Sequence, residues 1–218
     1  MSLFKQLKSD CLADWQSYTQ HAFVQQMGEG TLPHAAFREY LVQDYLFLIQ
    51  FSRAYALSIY KSRSLKEMRQ GLEGLKAIVD VEMDLHVRIC ERWGISTDEL
   101  EATAEASETI AYTRFVLDAG NAGDLLDLYV ALAPCMIGYG EIGLALKDKA
   151  TPDNPYAEWI NEYASKGYQE VAQGTITYID ELATELSSDA RYPRLKHLFG
   201  AASRLEADFW QMGLNAAK

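Results

Sequence analysis

Residues 33–62, PHAAFREYLVQDYLFLIQFSRAYALSIYKS, contain no glycine and no proline after Pro33. Proline is tolerated in a first helical turn, so Pro33 marks a start rather than a break. The stretch predicts a helix of about 45 Å at 1.5 Å per residue. Residues 41–60 are apolar on most sides, which places this helix inside the core.

The same period extends outward in both directions. Leu3, Leu7, Cys11, Leu12, Trp15 and Tyr18 recur at helical spacing and predict one amphipathic helix, with a stop at Gly28-Glu29-Gly30. Ser64 with Glu67 forms a capping-box pattern, and the helix it opens is expected to run to Trp93 and end at Gly94. A short helix opens near Thr97, and another spans Ser107 to Ala119. Asp124 to about Lys147 is the most apolar helix. Asn154 is positioned to cap a helix from Pro155. Tyr168 to Leu186 and Tyr192 to Leu214 complete the set. No stretch alternates apolar and polar residues as a strand would. The expected fold is all-α: a single domain, residues 1–218, forming a bundle of about eight helices.

Composition excludes several function classes. The 218 residues carry a net charge of −11, from 20 Lys plus Arg against 31 Asp plus Glu. The densest basic stretch, Lys61 to Arg69, still contains a Glu, so no nucleic-acid groove is expected. Three widely spaced cysteines, Cys11, Cys90 and Cys135, do not make a disulfide framework and suit a reducing compartment. The first ten residues lack the apolar region of a secretory signal. The longest apolar run, Leu128 to Gly140, falls short of the roughly 20 residues that span a bilayer. A soluble, cytoplasmic protein without membrane partners is expected.

Four constellations could carry chemistry. In Ala133-Pro134-Cys135-Met136-Ile137-Gly138-Tyr139, the proline interrupts an apolar helix at a cost of ~3 kcal/mol. If the helix restarts there, Cys135 falls at its second position, where free N–H groups stabilise a thiolate. Tyr139 lies one turn on. Without Pro134, Cys135 would read as a small buried hydrophobe, as Cys11 and Cys90 do. In Gln43-Asp44-Tyr45-Leu46-Phe47, Asp44 and Phe47 share a helix face, a carboxylate beside an aromatic platform suited to a flat amino-heterocycle. The alternative for Asp44 is an arginine partner or an exposed edge. Glu206, flanked by Ser203, Phe209 and Trp210, is a candidate acid/base whose pKa apolar surroundings would raise. The alternative is a surface position. Glu82 and His86 are spaced to share a metal, but the chain has no paired Glu-x-x-His motifs, so a buried Glu82–His86 hydrogen bond is preferred. No metal or organic cofactor is expected. Tyr112 and Tyr163 stand out as aromatics with polar tips beside apolar neighbours.

Taken together, these residues resemble the TenA family, thiaminase II-type proteins of thiamin salvage. The match rests on Gln43 to Phe47 with Arg53 to Ala56, Glu82 to His86, Ala111-Tyr112-Thr113, Pro134-Cys135 with Tyr139 and Glu141, Tyr156 to Tyr163, and Glu206 with Phe209 to Met212. The resemblance implies a haem-oxygenase-like fold, a homotetramer, and action on a pyrimidine. It implies that Cys135 attacks C6 of the ring, that Asp44 grips the ring nitrogen and exocyclic amine, and that Glu206 moves protons. Phe47, Tyr112, Tyr139 and Tyr163 would line the pocket. The family's aromatic at position 47 is often Tyr. Cys135 places the chain in the family's cysteine-containing branch. The implied activity is hydrolysis of 4-amino-5-aminomethyl-2-methylpyrimidine, and of thiamin, to the hydroxymethylpyrimidine.

Two other readings share the architecture: a haem-binding protein with His21 or His34 as axial ligand, and a regulatory protein that binds a pyrimidine without turning it over. A cofactor-free oxidase of quinone biosynthesis also shares the fold, but expects a His- and Arg-rich pocket that the sequence does not suggest.

Overall fold

A computed structural model describes residues 2–218. Joining abutting helical segments gives eleven helices among these residues, and no strand. They are α1 (Leu3–Asp10), α2 (Leu12–Thr19), α3 (Ala22–Glu29), α4 (His34–Lys61), α5 (residues 65–92), α6 (Thr97–Ala102), α7 (Ser107–Ala122), α8 (Leu125–Lys149), α9 (Ala157–Tyr163), α10 (Lys166–Leu186) and α11 (Tyr192–Asn215).

The number exceeds eight partly because the expected N-terminal helix divides at Cys11, whose backbone leaves helical geometry (φ −114°, ψ 29°). The two halves serve different partners. Leu3, Phe4 and Leu7 of α1 face α10 and α11, while Trp15 and Tyr18 of α2 lie along α11. One straight helix could not present both faces correctly. The ends follow local chemistry elsewhere. Ser64 accepts from Glu67 N and the Glu67 carboxylate accepts from Ser64 N, each at 3.2 Å. Gly94 takes the left-handed conformation (φ 71°) after α5. Asn154 accepts from Tyr156 N at 2.8 Å, but α9 starts only at Ala157. The Asn154 amide instead donates to the carbonyls of Met27 and Gly28, tying this loop to the end of α3.

α4 is buried along most of its length, as its composition requires. Around it pack α5, α7 and α11, and α11 in turn touches α2, α7 and α8. The buried side chains form one contiguous core from Leu3 to Met212. α8 runs through this core without restarting at Pro134. By length and composition alone it could cross a bilayer, but 78% of its most apolar window is buried inside the protein. Its apolarity is explained by the neighbours that enclose it.

Two helices carry a π turn, an i→i+5 step that inserts an extra residue into the spiral. One is Ile78–Glu82 in α5, the other Pro134–Gly138 in α8. Proline lacks the N–H that would close the preceding α-turn. The wider turn absorbs that loss, and both Ala133 (φ −55°, ψ −40°) and Pro134 (φ −60°, ψ −48°) stay helical.

Candidate active site

α4, α5, α8, α9 and α10 enclose a cavity with about 610 Å³ of empty space, part of it open to solvent. Its wall includes Asp44 and Phe47 from α4, Glu82 from α5, Cys135 and Tyr139 from α8, Tyr163 from α9 and Tyr168 from α10. Residues far apart in sequence therefore meet: Asp44, Phe47, Cys135, Tyr139 and Tyr163 share one space. Tyr112 and Glu206 stand behind that wall rather than on it. Tyr112 packs on Phe47 at 5.1 Å between ring centroids, and its hydroxyl donates to the Glu206 carboxyl at 2.9 Å.

Asp44 is 6% exposed. No arginine pairs with it, and it does not sit at an exposed edge. Tyr40, one turn earlier, donates to its Oδ2 at 3.1 Å, and Trp159 Nε1 donates to the Tyr40 oxygen at 3.0 Å. His86 Nδ1 lies 3.4 Å from the same Oδ2. The Glu82–His86 hydrogen bond expected from their spacing does not form. His86 instead places Nε2 2.8 Å from the Leu41 carbonyl. A carbonyl only accepts, so Nε2 carries the hydrogen and neutral His86 turns a lone pair toward Asp44. Burial pushes the Asp44 carboxyl up to about 7, opposed by the Tyr40 hydrogen bond. Burial lowers His86 to about 4, opposed by the Leu41 bond. Asp44, not His86, therefore holds the proton of this pair. That leaves Oδ1 without a protein partner, next to the cavity.

Cys135 is 7% exposed, and its Sγ donates to the Leu132 carbonyl at 3.1 Å. The thiolate-stabilising helix N-terminus expected at Pro134 is absent, because α8 continues through it. Burial, and then Glu206, raise the thiol well above its ordinary value, while the Tyr112 hydroxyl works in the opposite direction. Glu206 is 1% exposed. Burial lifts its carboxyl to about 8, against the Tyr112 hydrogen bond. The Tyr112 hydroxyl thus stands between the surroundings of the thiol, which it affects, and the Glu206 carboxyl, to which it donates.

Aromatic rings complete the enclosure. Tyr139 and Tyr163 lie 5.0 Å apart between centroids, Trp159 packs 4.4 Å from Tyr163, and the Tyr55 hydroxyl points at Met136 Sδ at 3.0 Å. Gly143 of α8 permits this closeness: a Cβ there would lie 2.5 Å from the Tyr163 carbonyl carbon. Sequence reasoning missed Tyr40, Trp159, Tyr168 and the pairing of His86 with Asp44. Only Tyr40 had a local signal, its i−4 spacing from Asp44.

Neither His21 nor His34 lines the cavity. His21 Nδ1 accepts from Phe23 N at the start of α3, and His34 packs edge-on against Trp93 at 5.1 Å. The two histidines named for the haem-binding alternative are therefore outside this space. No three His, Cys, Asp or Glu side chains converge as a metal site among the described residues.

The fold and cavity define an all-helical protein with a buried thiol and buried carboxyls in or behind the wall of an aromatic-lined cavity. Its sequence from residue 10 to 216 matches the TENA/THI-4/PQQC family, and the chain belongs to that family. It is 42% identical over 203 residues to an aminopyrimidine aminohydrolase of Halalkalibacterium halodurans, covering 92% of this chain and 90% of that protein. An uncharacterized protein of Haemophilus influenzae is 40% identical over 217 residues, covering 99% of this chain and all of its own 100%. The solved structure of a TenA family transcription regulator from Silicibacter sp. TM1040 is 47% identical, with a TM-score of 0.93, covering 97% of this chain and 96% of that one. The haem-oxygenase-like, all-α architecture expected from the sequence is the one observed.

Proposed function

We propose that this protein is a thiamin-salvage hydrolase, an aminopyrimidine aminohydrolase that converts 4-amino-5-aminomethyl-2-methylpyrimidine to its 5-hydroxymethyl counterpart and also accepts thiamin. The observation that carries the proposal is the placement of Cys135 and Asp44 on one cavity, with Glu206 one phenol behind. The 42% identity to a protein named for this activity supports it.

Asp44 holds the exocyclic amine and a ring nitrogen of the substrate. Oδ1, free of protein partners among the described residues, accepts from the amine, and the proton shared by Oδ2 and His86 is lent to the carboxyl's ring-facing side as the ring gains charge. Phe47, Tyr139 and Tyr163 hold the ring by its faces and edges, and Tyr112 aligns Glu206. The Cys135 proton passes through Tyr112 to Glu206, and the sulfur bonds to C6 of the ring. Collapse of the adduct breaks the bond between the C5 methylene and its nitrogen, which leaves with the electron pair and takes the proton held by Glu206, so that Glu206 is ionised again. Water adds to the exposed methylene and gives its proton to the ionised Glu206. The C6–S bond then breaks, and the thiolate recovers its proton from Glu206 by way of Tyr112. Covalent addition divides one difficult displacement into two easier steps. The chain needs no organic cofactor for this sequence. We further infer that it works in the cytoplasm as a homotetramer, which sedimentation of the purified protein tests.

Mass-spectrometric product analysis with the aminomethylpyrimidine and with thiamin, wild type against Cys135→Ala, tests the reading. Hydroxymethylpyrimidine from the wild type alone is expected. Equal product from both proteins would remove the covalent mechanism. Tight binding with no turnover by the wild type would leave a pyrimidine-binding regulator; the Silicibacter relative is named a transcription regulator.

A further inference from the structure

The chemistry above leaves one carboxyl of the cavity wall unused. Glu82 ends the π turn of α5 and lines the same space as Asp44 and Cys135. π turns inside helices are frequent at functional sites. Glu82 is half-buried and has no hydrogen-bond or ion-pair partner among the described residues. No Lys, Arg or His lines the cavity to balance it. The other charged groups nearby are also acidic: after burial, Asp44 and then Glu162 push Glu82 up to about 8. A partnerless carboxyl in acidic, desolvated surroundings is costly, and a cationic ligand group relieves that cost.

The position fits one part of the proposed substrate. The arm on ring carbon C5 lies between the amine-bearing C4 and the C6 that Cys135 attacks. Glu82 is within electrostatic reach of both ends, since it raises the Cys135 thiol and is itself raised by Asp44. We infer that Glu82 is the subsite for a primary ammonium on that arm, accepting its hydrogen bonds while Asp44 takes the ring amine. The inference rests on the proposed function and names what the cavity selects. A primary ammonium offers three donors and a charge. A hydroxymethyl group offers one donor and no charge, and a thiazolium nitrogen offers no donor. Glu82 therefore favours the aminomethyl substrate over thiamin. Its grip is lost when the nitrogen leaves, which assists release of the hydroxymethyl product.

Isothermal titration of Cys135→Ala protein, which blocks turnover, tests this with the aminomethyl- and hydroxymethylpyrimidines. Adding Glu82→Gln is expected to weaken the aminomethyl ligand by about 10- to 100-fold and to change the hydroxymethyl ligand by less than about 2-fold. Glu82 is mostly protonated at pH 7, so binding of the ammonium displaces its proton. Titrations in buffers of different ionisation enthalpy should show that release, and Glu82→Gln should reduce it for the aminomethyl ligand while leaving the hydroxymethyl ligand's proton exchange unchanged. Glu82→Asp should keep part of the preference. The hydroxymethyl ligand reports whether each variant still has a folded cavity. Equal losses for both ligands, or no loss for either, overturn the assignment. If neither ligand binds the protein that retains Glu82, the proposed function fails and the assignment with it.

Discussion

The two π turns face the same cavity but have different origins. Pro134–Gly138 lies in the most enclosed helix of the protein and begins at a residue that cannot make the regular helical hydrogen bond. Ile78–Glu82 contains no proline and no glycine, and its exposed face carries Val79 and Val81. The first is written into the covalent chain. The second goes with packing: Gly71 and Gly74 press α5 onto α4 so closely that a Cβ on Gly74 would lie 2.0 Å from a Tyr55 ring carbon. The same local device places a thiol on one wall and a carboxyl on another, and only one of the two announces itself in the sequence.

The largest expected effect comes from the first turn. Cys135→Ala should lower turnover by at least about 10³-fold, a loss of the size seen when a nucleophile is removed. Its circular dichroism should stay native, because a small side chain replaces another in a tight site. Retained turnover would demote the Pro134 turn to a packing feature.

Pro134→Ala asks whether the proline imposes the turn. Alanine restores a backbone donor and removes the ring clash, so denaturant unfolding should show a gain of up to about 3 kcal/mol. Turnover should fall by about 100-fold if the helix regularises and moves Cys135 by even 1 Å. A variant with unchanged activity would show that packing alone sustains both turns.

Gly74→Ala challenges the second turn. Tyr55 has little room to move, being held against Phe51 at 5.3 Å and Met136 at 3.0 Å. A destabilisation of about 1–3 kcal/mol is expected in urea melts, together with weaker ligand binding, because Tyr55 also lines the cavity. A neutral result would mean that α5 can slide without cost.

The last effect, smallest when taken per pH unit, is a slope against pH. Glu206 is raised to about 8 in the folded protein, so between its unfolded value and 8 the native state binds more protons than the unfolded state. Its stabilising contribution is therefore full at acid pH and is lost as pH rises through 8. Glu206→Gln should flatten the fall in stability between pH 5 and 8 by at most about 1.4 kcal/mol per pH unit. Urea midpoints at three pH values measure it, and parallel curves for the two proteins would mean that Glu206 is ionised when folded.

Helices and their ends were legible because their causes are local. The apolar period, the Ser64–Glu67 box and Gly94 each act within a turn or two of chain. Asp44, Phe47 and Cys135 could be singled out for a similar reason: Asp44 breaks the apolar run around it, Phe47 shares its helix face, and Pro134 marks Cys135. The division at Cys11 was not legible, since it depends on which distant helices α1 and α2 meet. Nor was the pairing of His86 with Asp44 rather than Glu82, which requires α4 and α5 to be docked first. The ionisation of Cys135 reversed its expected direction for a related reason. Local proline chemistry suggested a free helix start, but burial and Glu206 act on the thiol from outside its own helix.

By itself, then, the sequence determined an all-helical chain, a core built around residues 33–62, and a short set of chemically unusual side chains. Hydrogen bonding and side-chain periodicity along one strand of chain suffice for that. Only the tertiary structure decided that Asp44, Glu82 and Cys135 share one cavity, with Glu206 behind it. Proximity across helices and removal from water are collective properties of packing, and they set both the geometry and the proton affinities on which the proposed chemistry depends.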